Sequence, residues 1–421
     1  MGARCRKILG RTIVRSWLVV LAIVLCGATA EAGDWPQILG PHRDGRAEGE
    51  SLADSWPAAG PKVVWERPVG RGYAGVAVVG ERGVLFHRVE NEELVQAFDV
   101  RTGKFSWKFA IPTSYVSGIS PDDGPRCVPV IQGDRVIAFG AQGNLACVRL
   151  TDGAKIWTVD THAEFRAGEG YFGAGSSPIV EGDKVIVNVG GAKSDAGIVA
   201  FSLESGQLVW KATREDASYS SPVAVTVHGV RHLIVETRLK TISLNPDNGA
   251  IRFEVPFGMR GPTVNGANPT VFGDRLFMTA SYGIGAVFAK IGDTSAEKLW
   301  DSNDLISSQY ATCIAEGGLL YGIHGRDDQG QASLRCIDPE KQKILWQKDD
   351  FGYATLLFAD GKLIVQKTDG TFVLVKASPS QYTELATAQI FNTKTFALPA
   401  LASGRLYVRD DRTLKCLDLR R

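Results

Sequence analysis

Short apolar runs separated by polar corners follow one another along almost the whole chain. Each unit of the pattern has an apolar run, a corner rich in Gly or Asp, and a second apolar run. The corners are residues 79–82, 132–135, 181–184, 228–231, 272–275, 316–319, 359–362 and 402–405. Gly and Asp accept the backbone conformations that tight hairpins require. The pattern therefore predicts eight β-hairpins in series.

A third and a fourth apolar run follow most corners, and the fourth carries an aromatic residue. The aromatic positions are Trp65, Trp107, Trp157, Trp210, Phe253, Trp300 and Trp346. They recur about every 47 residues, a period that indicates a propeller, a solenoid or an array. Four strands per unit, with no amphipathic helix between them, favour the propeller. We therefore predict an all-β fold, an eight-bladed β-propeller of four-stranded blades.

The two ends of the repeating region complement each other. Residues 397–421 supply a corner and a third strand but no fourth strand, whereas an unpaired fourth strand, 62–69, precedes the first unit. Pairing the two closes the ring and leaves no open sheet edge between the chain ends. We predict that the N-terminal strand 62–69 completes the C-terminal blade of a ring formed by residues 62–421.

Residues 1–30 differ from the rest of the chain. Basic residues precede the apolar run 17–27, and small residues follow it up to Ala30. This is the pattern of a cleaved secretory signal peptide, and the run is shorter than the roughly 20 residues of a membrane span. Leu25 precedes Cys26, where a lipid-anchor signal has a small residue. We predict a periplasmic or secreted protein without a lipid anchor.

Composition excludes some partners without naming one. Cleavage removes five of the 47 basic residues and none of the 46 acidic ones, which leaves a net charge of −4. A mildly acidic surface argues against nucleic acid as a partner. The five remaining cysteines are isolated, so they predict buried thiols and no metal site. The Pro- and Gly-rich lead-in segment, residues 31–61, is expected to lie across the ring rather than form a domain.

Two motifs resemble ligand sites but lack the context that such sites need. Gly70, Gly72 and Gly75 match a dinucleotide fingerprint, yet a strand follows them, and pyrophosphate binding needs a helix N-terminus there. His228 and His232 lie on a hairpin without neighbouring ligand residues, which favours a structural role. The sequence predicts no catalytic residue.

Aromatic residues mark both the outer and the inner strands. The tryptophans Trp65, Trp107, Trp157, Trp210, Trp300 and Trp346 are predicted to pack between adjacent blades. Other aromatic residues precede the first strands, which are innermost, so their loops are expected at one mouth of the central channel. Binding residues concentrate on such loops. The candidates are Tyr73, Arg126, Tyr171, Tyr219, Asn265, Asn268, Tyr310, His324, Arg326 and Tyr353. Equally, the aromatic residues would plug the channel as core.

The repeat carries a family resemblance. The unit AFDVRTGKFSW, residues 97–107, resembles the tryptophan-docking repeat of pyrroloquinoline quinone (PQQ) propellers. That superfamily contains quinoprotein alcohol dehydrogenases and the outer-membrane assembly factor BamB. The resemblance covers roughly residues 62–421 because six or seven units recur in register. It implies the fold but no particular activity.

Features of the quinoprotein dehydrogenases are replaced in this chain. Their blade-three Glu, which binds Ca²⁺ beside PQQ, corresponds to Lys193 in GAKSDAG, residues 191–197. A cation at a calcium-ligand position opposes binding of a dication. No vicinal cysteine pair and no catalytic base match either, so no cofactor is predicted. Should PQQ and Ca²⁺ be held differently, Glu169 with Asn265 or Asn268 would supply oxygen ligands, and Arg326 would contact a PQQ carboxylate.

Three functions therefore remain open. The first is an exported, non-catalytic, monomeric propeller, similar to BamB, that binds another exported or envelope protein through one face. The second is a divergent PQQ-dependent oxidoreductase. The third is a propeller that binds or cleaves carbohydrate, with Tyr171 and Tyr310 stacking on sugar rings and Asp122 and Asp123 as carboxylates.

Overall fold

The chain is described by a computed structural model that covers residues 1–2, 33–57 and 59–421. Apart from its first two residues, the predicted signal peptide lies outside the described residues. Within the described part, no helix combines the length and the apolar character needed to cross a membrane.

The described chain forms eight four-stranded antiparallel sheets, the blades of an eight-bladed propeller. Blades 1 and 2 contain β2 (Val76–Val79), β3 (Arg82–Val89), β4 (Glu92–Asp99), β5 (Phe105–Pro112), β6 (Val130–Gln132), β7 (Arg135–Phe139), β8 (Asn144–Arg149) and β9 (Lys155–Asp160). Blades 3 and 4 contain β10 (Ile179–Glu181), β11 (Lys184–Gly191), β12 (Ala196–Ser202), β13 (Leu208–Ala212), β14 (Val223–Val227), β15 (Val230–Glu236), β16 (Lys240–Leu244) and β17 (Ile251–Pro256).

The second half of the ring follows the same order. Blades 5 and 6 contain β18 (Thr270–Phe272), β19 (Arg275–Ala280), β20 (Gly285–Ile291), β21 (Ala296–Ser302), β22 (Ile314–Glu316), β23 (Leu319–Arg326), β24 (Gln331–Asp338) and β25 (Lys343–Lys348). Blade 7 contains β26 (Ala354–Ala359), β27 (Lys362–Lys367), β28 (Thr371–Lys376) and β29 (Glu384–Gln389). Blade 8 contains β30 (Ala400–Ala402), β31 (Arg405–Arg409), β32 (Thr413–Asp418) and β1 (Lys62–Pro68). A short helix, α1 (Thr161–Phe165), precedes blade 3, and a 3₁₀ turn (Ala192–Ser194) connects β11 to β12.

The eight-bladed ring confirms the fold predicted from the repeat. Each predicted corner falls between the first and second strands of a blade. Closure is also as predicted, because β1 pairs antiparallel with β32 and places Trp65 opposite Cys416. The inner strands read as continuous apolar runs because neighbouring blades cover both of their faces. All six residues of β26, for example, are buried.

Indole groups join each of six blades to the next. Their Nε1–H groups donate to backbone carbonyls in the turn between the third and fourth strands of the following blade, at 2.7–3.0 Å. The acceptors for Trp65, Trp107, Trp157, Trp210, Trp300 and Trp346 are Val100, Leu150, Leu203, Pro246, Pro339 and Ser378. The turn that accepts the bond packs tightly against the indole: a Cβ on Gly103 would lie only 2.6 Å from the Trp65 indole.

The lead-in segment covers one mouth of the channel. Trp35 pairs with Val78 of blade 1, and Leu52 pairs with Arg420 beyond blade 8. Between them, the buried Arg43 donates hydrogen bonds to the carbonyls of Pro178 and Pro222, just before the first strands of blades 3 and 4. Burial lowers the pKa of Arg43 to about 9. Elsewhere the segment bonds the predicted corners at Gly80, Asp360 and Gly404. It therefore lies on the corner side of the ring, with Arg43 reaching inward, and the loops before the first strands form the opposite mouth.

Candidate binding site on the mouth face

The loops that precede the first strands are here called mouth loops, and the surface they form is called the mouth face. Two pairs of neighbouring mouth loops are tied together by backbone hydrogen bonds. The N–H groups of Tyr73 and of the next residue donate to Pro125 O at 2.9 and 3.0 Å. The N–H groups of Tyr219 and of the next residue donate to Asn265 O, both at 3.0 Å. Loops that look free in sequence are thus held in fixed positions.

Two tyrosine hydroxyls reinforce this arrangement. Tyr219 Oη accepts hydrogen bonds from the N–H groups of Tyr171 and Phe172, at 2.8 and 2.9 Å. Tyr353 Oη accepts from the N–H groups of Tyr310 and the residue after it, at 2.6 and 3.0 Å. The Tyr310 and Tyr353 rings also contact each other, with centroids 4.5 Å apart. These three tyrosines, Tyr219, Tyr310 and Tyr353, therefore contribute to the packing of the mouth.

The two candidate asparagines lie deeper than the tyrosines. Asn265 is fully buried, and its Nδ2 donates to Thr237 O at 3.0 Å. Asn268 is buried as well, and its Oδ1 accepts from the Ser221 N–H at 2.8 Å. Both side chains brace mouth loops of blades 4 and 5. Within the described residues, Asn265 Oδ1 has no hydrogen-bond partner.

The charged candidates occupy separate places around the mouth. The Arg126 guanidinium lies 5.3 Å from the Tyr73 ring centroid and 5.6 Å from that of Phe172, so it is held between two aromatic faces. Arg326 pairs with Asp328 on the other side of the ring. His324 Nδ1 accepts from a backbone N–H, and burial lowers its pKa to about 4, so the ring is neutral at neutral pH. The candidates therefore do not converge on one point.

A cavity of about 260 Å³ opens between blades 3 and 4 on the mouth face. Its lining includes three predicted residues, Tyr171, Tyr219 and Asn265. It also includes Glu169, which the sequence offered only as an alternative calcium ligand, and polar residues that the sequence did not single out: His162, Asn188, Asp216, Ser218 and Arg238. A second cavity of about 240 Å³ adjoins it and shares His162 and Glu169. Most of the added residues lie at strand ends or in turns, where no repeated signal marks them.

Large apolar side chains are exposed on the same face. Val116 is 73% and Ile119 is 60% exposed in the mouth loop of blade 2. Tyr171 and Met259, in the mouth loops of blades 3 and 5, are 39% and 44% exposed. Val89 adds a fifth exposed side chain at the end of β3. This distribution matters because exposed apolar surface is a mark of interaction sites.

Comparisons with known proteins identify the family. The family model described as outer membrane protein assembly factor BamB matches residues 91–348. The chain belongs to this PQQ-like propeller family. No curated protein matches it. Among solved structures, BamB from Moraxella catarrhalis is 15% identical with a TM-score of 0.61, over 85% of this chain and 97% of that one.

Enzymes of the superfamily share the fold to a similar degree. The quinohemoprotein alcohol dehydrogenase from Comamonas testosteroni is 14% identical with a TM-score of 0.64, over 92% of this chain and 81% of that one. A europium-containing methanol dehydrogenase is 13% identical with a TM-score of 0.57, over 90% of each chain. At these identities the likeness shows a shared propeller and leaves the choice between scaffold and dehydrogenase open.

The residues of this family member do not fit the ligand set of a PQQ centre. Lys193, which replaces the calcium ligand, is exposed in the 3₁₀ turn after β11. Of the alternative ligands, Asn268 Oδ1 already accepts a backbone hydrogen bond, and Arg326 is paired with Asp328. Glu169 is exposed, whereas Asn265 is fully buried. No cluster of three or more His, Cys, Asp or Glu suited to a metal occurs in the described part of the chain.

Proposed function

We propose that this protein is an exported, non-catalytic binding protein that holds another exported or envelope protein on its mouth face. The observation that carries the proposal is the exposure of Val116, Ile119, Tyr171 and Met259 on three mouth loops of one face. Burial of one Val, Ile or Met side chain in an interface contributes about 1.5–3 kcal/mol. Burial of Val116, Ile119 and Met259 would therefore favour docking of a protein partner, and Tyr171 would add an aromatic contact.

The blade 2 loop that carries two of these side chains is ordered in advance. Asp123 Oδ1 accepts from the Ser117 N–H at 2.8 Å, and Arg71 lies 3.6 Å from the same carboxylate. Ser117 Oγ in turn accepts from the Ser120 N–H at 2.9 Å. A loop already held in one conformation loses little further entropy when it binds. This supports a docking role for the loop.

The opposite mouth is less suited to this role. There the lead-in segment crosses the ring, and its Trp35, Leu39 and Leu52 are buried against the blades. Binding at that mouth would displace a segment that completes the core. The mouth face, in contrast, offers its apolar side chains without rearrangement.

The proposal is tested by site-specific photo-crosslinking in the native cells. A photoreactive residue replaces Ile119 in one variant and Val209 in the control, because Val209 is 47% exposed on the outer strand β13, away from the mouth. We expect one discrete crosslinked protein from position 119 and none from position 209. An adduct should then disappear when Tyr171→Asp is added. Equal labelling from both positions, or none from position 119, would contradict the proposal.

A further inference from the structure

The two adjoining cavities on the mouth face carry polar groups that a docked apolar protein surface does not use. We propose that they bind an uncharged oligosaccharide, with one sugar ring between blades 3 and 4 and the next beside α1. The site rests on its own contacts and does not depend on the proposed protein partner. Its lining supplies unused acceptors, unused donors, balancing charges and an exposed aromatic ring.

The acceptors come from two asparagines that are more than nine-tenths buried. Asn188 Nδ2 donates to Glu236 O, and Asn265 Nδ2 donates to Thr237 O, both at 3.0 Å. These bonds hold both amides in place and leave their Oδ1 atoms without a partner in the described part of the chain. A buried acceptor without a donor is costly. Both residues line the cavity, and a ligand hydroxyl that reaches either Oδ1 would satisfy it.

Donors stand on the same cavity wall. Tyr219 Oη already accepts from two backbone N–H groups, so its own proton is left to donate. Arg238 donates to Thr263 Oγ1 at 2.8 Å and to Gly261 O at 2.6 Å, which leaves its other N–H groups free to bind a ligand. The cavity thus calls for a ligand whose groups both donate and accept, and hydroxyl groups do so.

The charges around the cavity favour a neutral ligand. The carboxylates of Glu169 and Asp216 stand on its lining together with the guanidinium of Arg238. His162 adds no charge at neutral pH, because burial lowers its pKa below the usual value. An anion would meet two carboxylates and a cation would meet Arg238. A polyol meets partners of both kinds without carrying a charge into the site.

Size and shape agree with sugar rings in a row. The cavity of about 260 Å³ lies near the small end of ligand sites, and the second, of about 240 Å³, shares the walls formed by His162 and Glu169. Tyr171 is 39% exposed at the rim, where its ring presents an apolar face to a ligand. The apolar face of a pyranose packs on such a ring while its hydroxyl groups reach the polar wall.

The proposal is tested by calorimetric titration of the purified protein with cellotetraose, chitotetraose, mannotetraose, maltotetraose and xylotetraose. A Cβ on Gly168, which lines the cavity, meets no atom within 4 Å and needs no unusual backbone conformation. Gly168→Leu therefore places a bulky side chain at the lining of the cavity without strain. Gly118→Leu is the matched control, because Gly118 is equally open in a neighbouring mouth loop and outside both cavities.

We expect at least one of these sugars to bind with a Kd of about 1 mM or tighter. Gly168→Leu and Tyr171→Ala should each weaken it about tenfold or more, whereas Gly118→Leu should retain the affinity within about twofold. Binding of none of the five sugars, or unchanged affinity in Gly168→Leu, would overturn the proposal. Binding of spermidine or inorganic phosphate in place of the sugars would overturn the assignment of a neutral ligand. Because no partner protein is present, failure here leaves the proposed protein docking untouched.

Discussion

Glu93 presents a carboxyl group whose ionisation opposes folding. It lies at the start of β4 and is fully buried. Its Oε1 accepts from the Ala141 N–H of blade 2 at 3.0 Å, and its Oε2 has no partner in the described residues. Burial raises the pKa of Glu93 from 4.5 to about 7, although the backbone hydrogen bond and nearby arginines act in the opposite direction.

The sign of the effect follows from this shift. Because the pKa is raised in the folded state, the native protein binds the proton more tightly than the unfolded chain does. The stability is therefore complete below pH 4.5 and falls as the pH rises toward 7. A shift from 4.5 to about 7 corresponds to about 3 kcal/mol at 1.36 kcal/mol per pH unit. Glu93→Gln removes the titration and keeps the acceptor that bonds to Ala141.

The measurement is the free energy of unfolding in urea, monitored by tryptophan fluorescence at pH 4.5 and pH 8. We expect Glu93→Gln to match the wild type within about 1 kcal/mol at pH 4.5 and to exceed it by about 3 kcal/mol at pH 8. Glu92→Gln is the control, since Glu92 is the exposed neighbour on the same strand. A difference between wild type and Glu93→Gln that is the same at both pH values would refute the reasoning.

Three further outcomes test the packing and the absence of a cofactor centre. Gly103→Ala should lower the unfolding free energy by about 1–3 kcal/mol, because φ is +67° and the new Cβ would meet the Trp65 ring. Gly80→Ala, also at positive φ but in open space, should cost only about 1 kcal/mol in the same urea titration. Arg43→Met should lower the free energy of unfolding by about 3 kcal/mol, because it leaves buried carbonyls such as Pro222 O without a donor. Unchanged stability would show that these hydrogen bonds of the lead-in segment do not stabilise the ring. Calorimetric titration with PQQ and Ca²⁺ should show no saturable binding, and binding at micromolar concentration would redirect attention to dehydrogenase activity.

The eight-bladed ring could be predicted because the same pattern of apolar runs and corners recurs eight times in the sequence. One weak unit does no harm: Phe253 replaces the tryptophan of its series, yet β17 still forms the fourth strand of blade 4. Closure by β1 was equally predictable, because a missing strand at one end matched a spare strand at the other. The fold could therefore be predicted from the periodicity, because a weak unit is recognised by its spacing from the others.

The mouth could be predicted only in outline. The aromatic residues lie in the mouth loops, but sequence alone does not separate Tyr353, which is 4% exposed, from Tyr171, which is 39% exposed. Both follow the same local pattern, and their difference depends on which neighbouring loop supplies the N–H groups. Asn188 carried no signal because it lies inside the ordinary strand β11, and Arg238 carried none because it lies just beyond the end of β15. Arg43 was missed because its partners, such as Pro222 O, lie far along the chain.

Departures from the repeat indicate where function should be sought. Eight similar blades give both faces of the ring an approximate symmetry, so the repeat itself selects no site. On one face the symmetry is broken by the lead-in segment, whose apolar side chains pack into the core. On the other face it is broken by loop length: residues 113–129 and 161–178 precede the first strands of blades 2 and 3, whereas only 349–353 precede that of blade 7. These two long loops carry Ile119, Tyr171 and the shared wall of both cavities. Substitutions that impair binding should therefore cluster on blades 2 to 5, and a loss of binding caused equally by changes on the blade 7 loop would contradict this view of the mouth face.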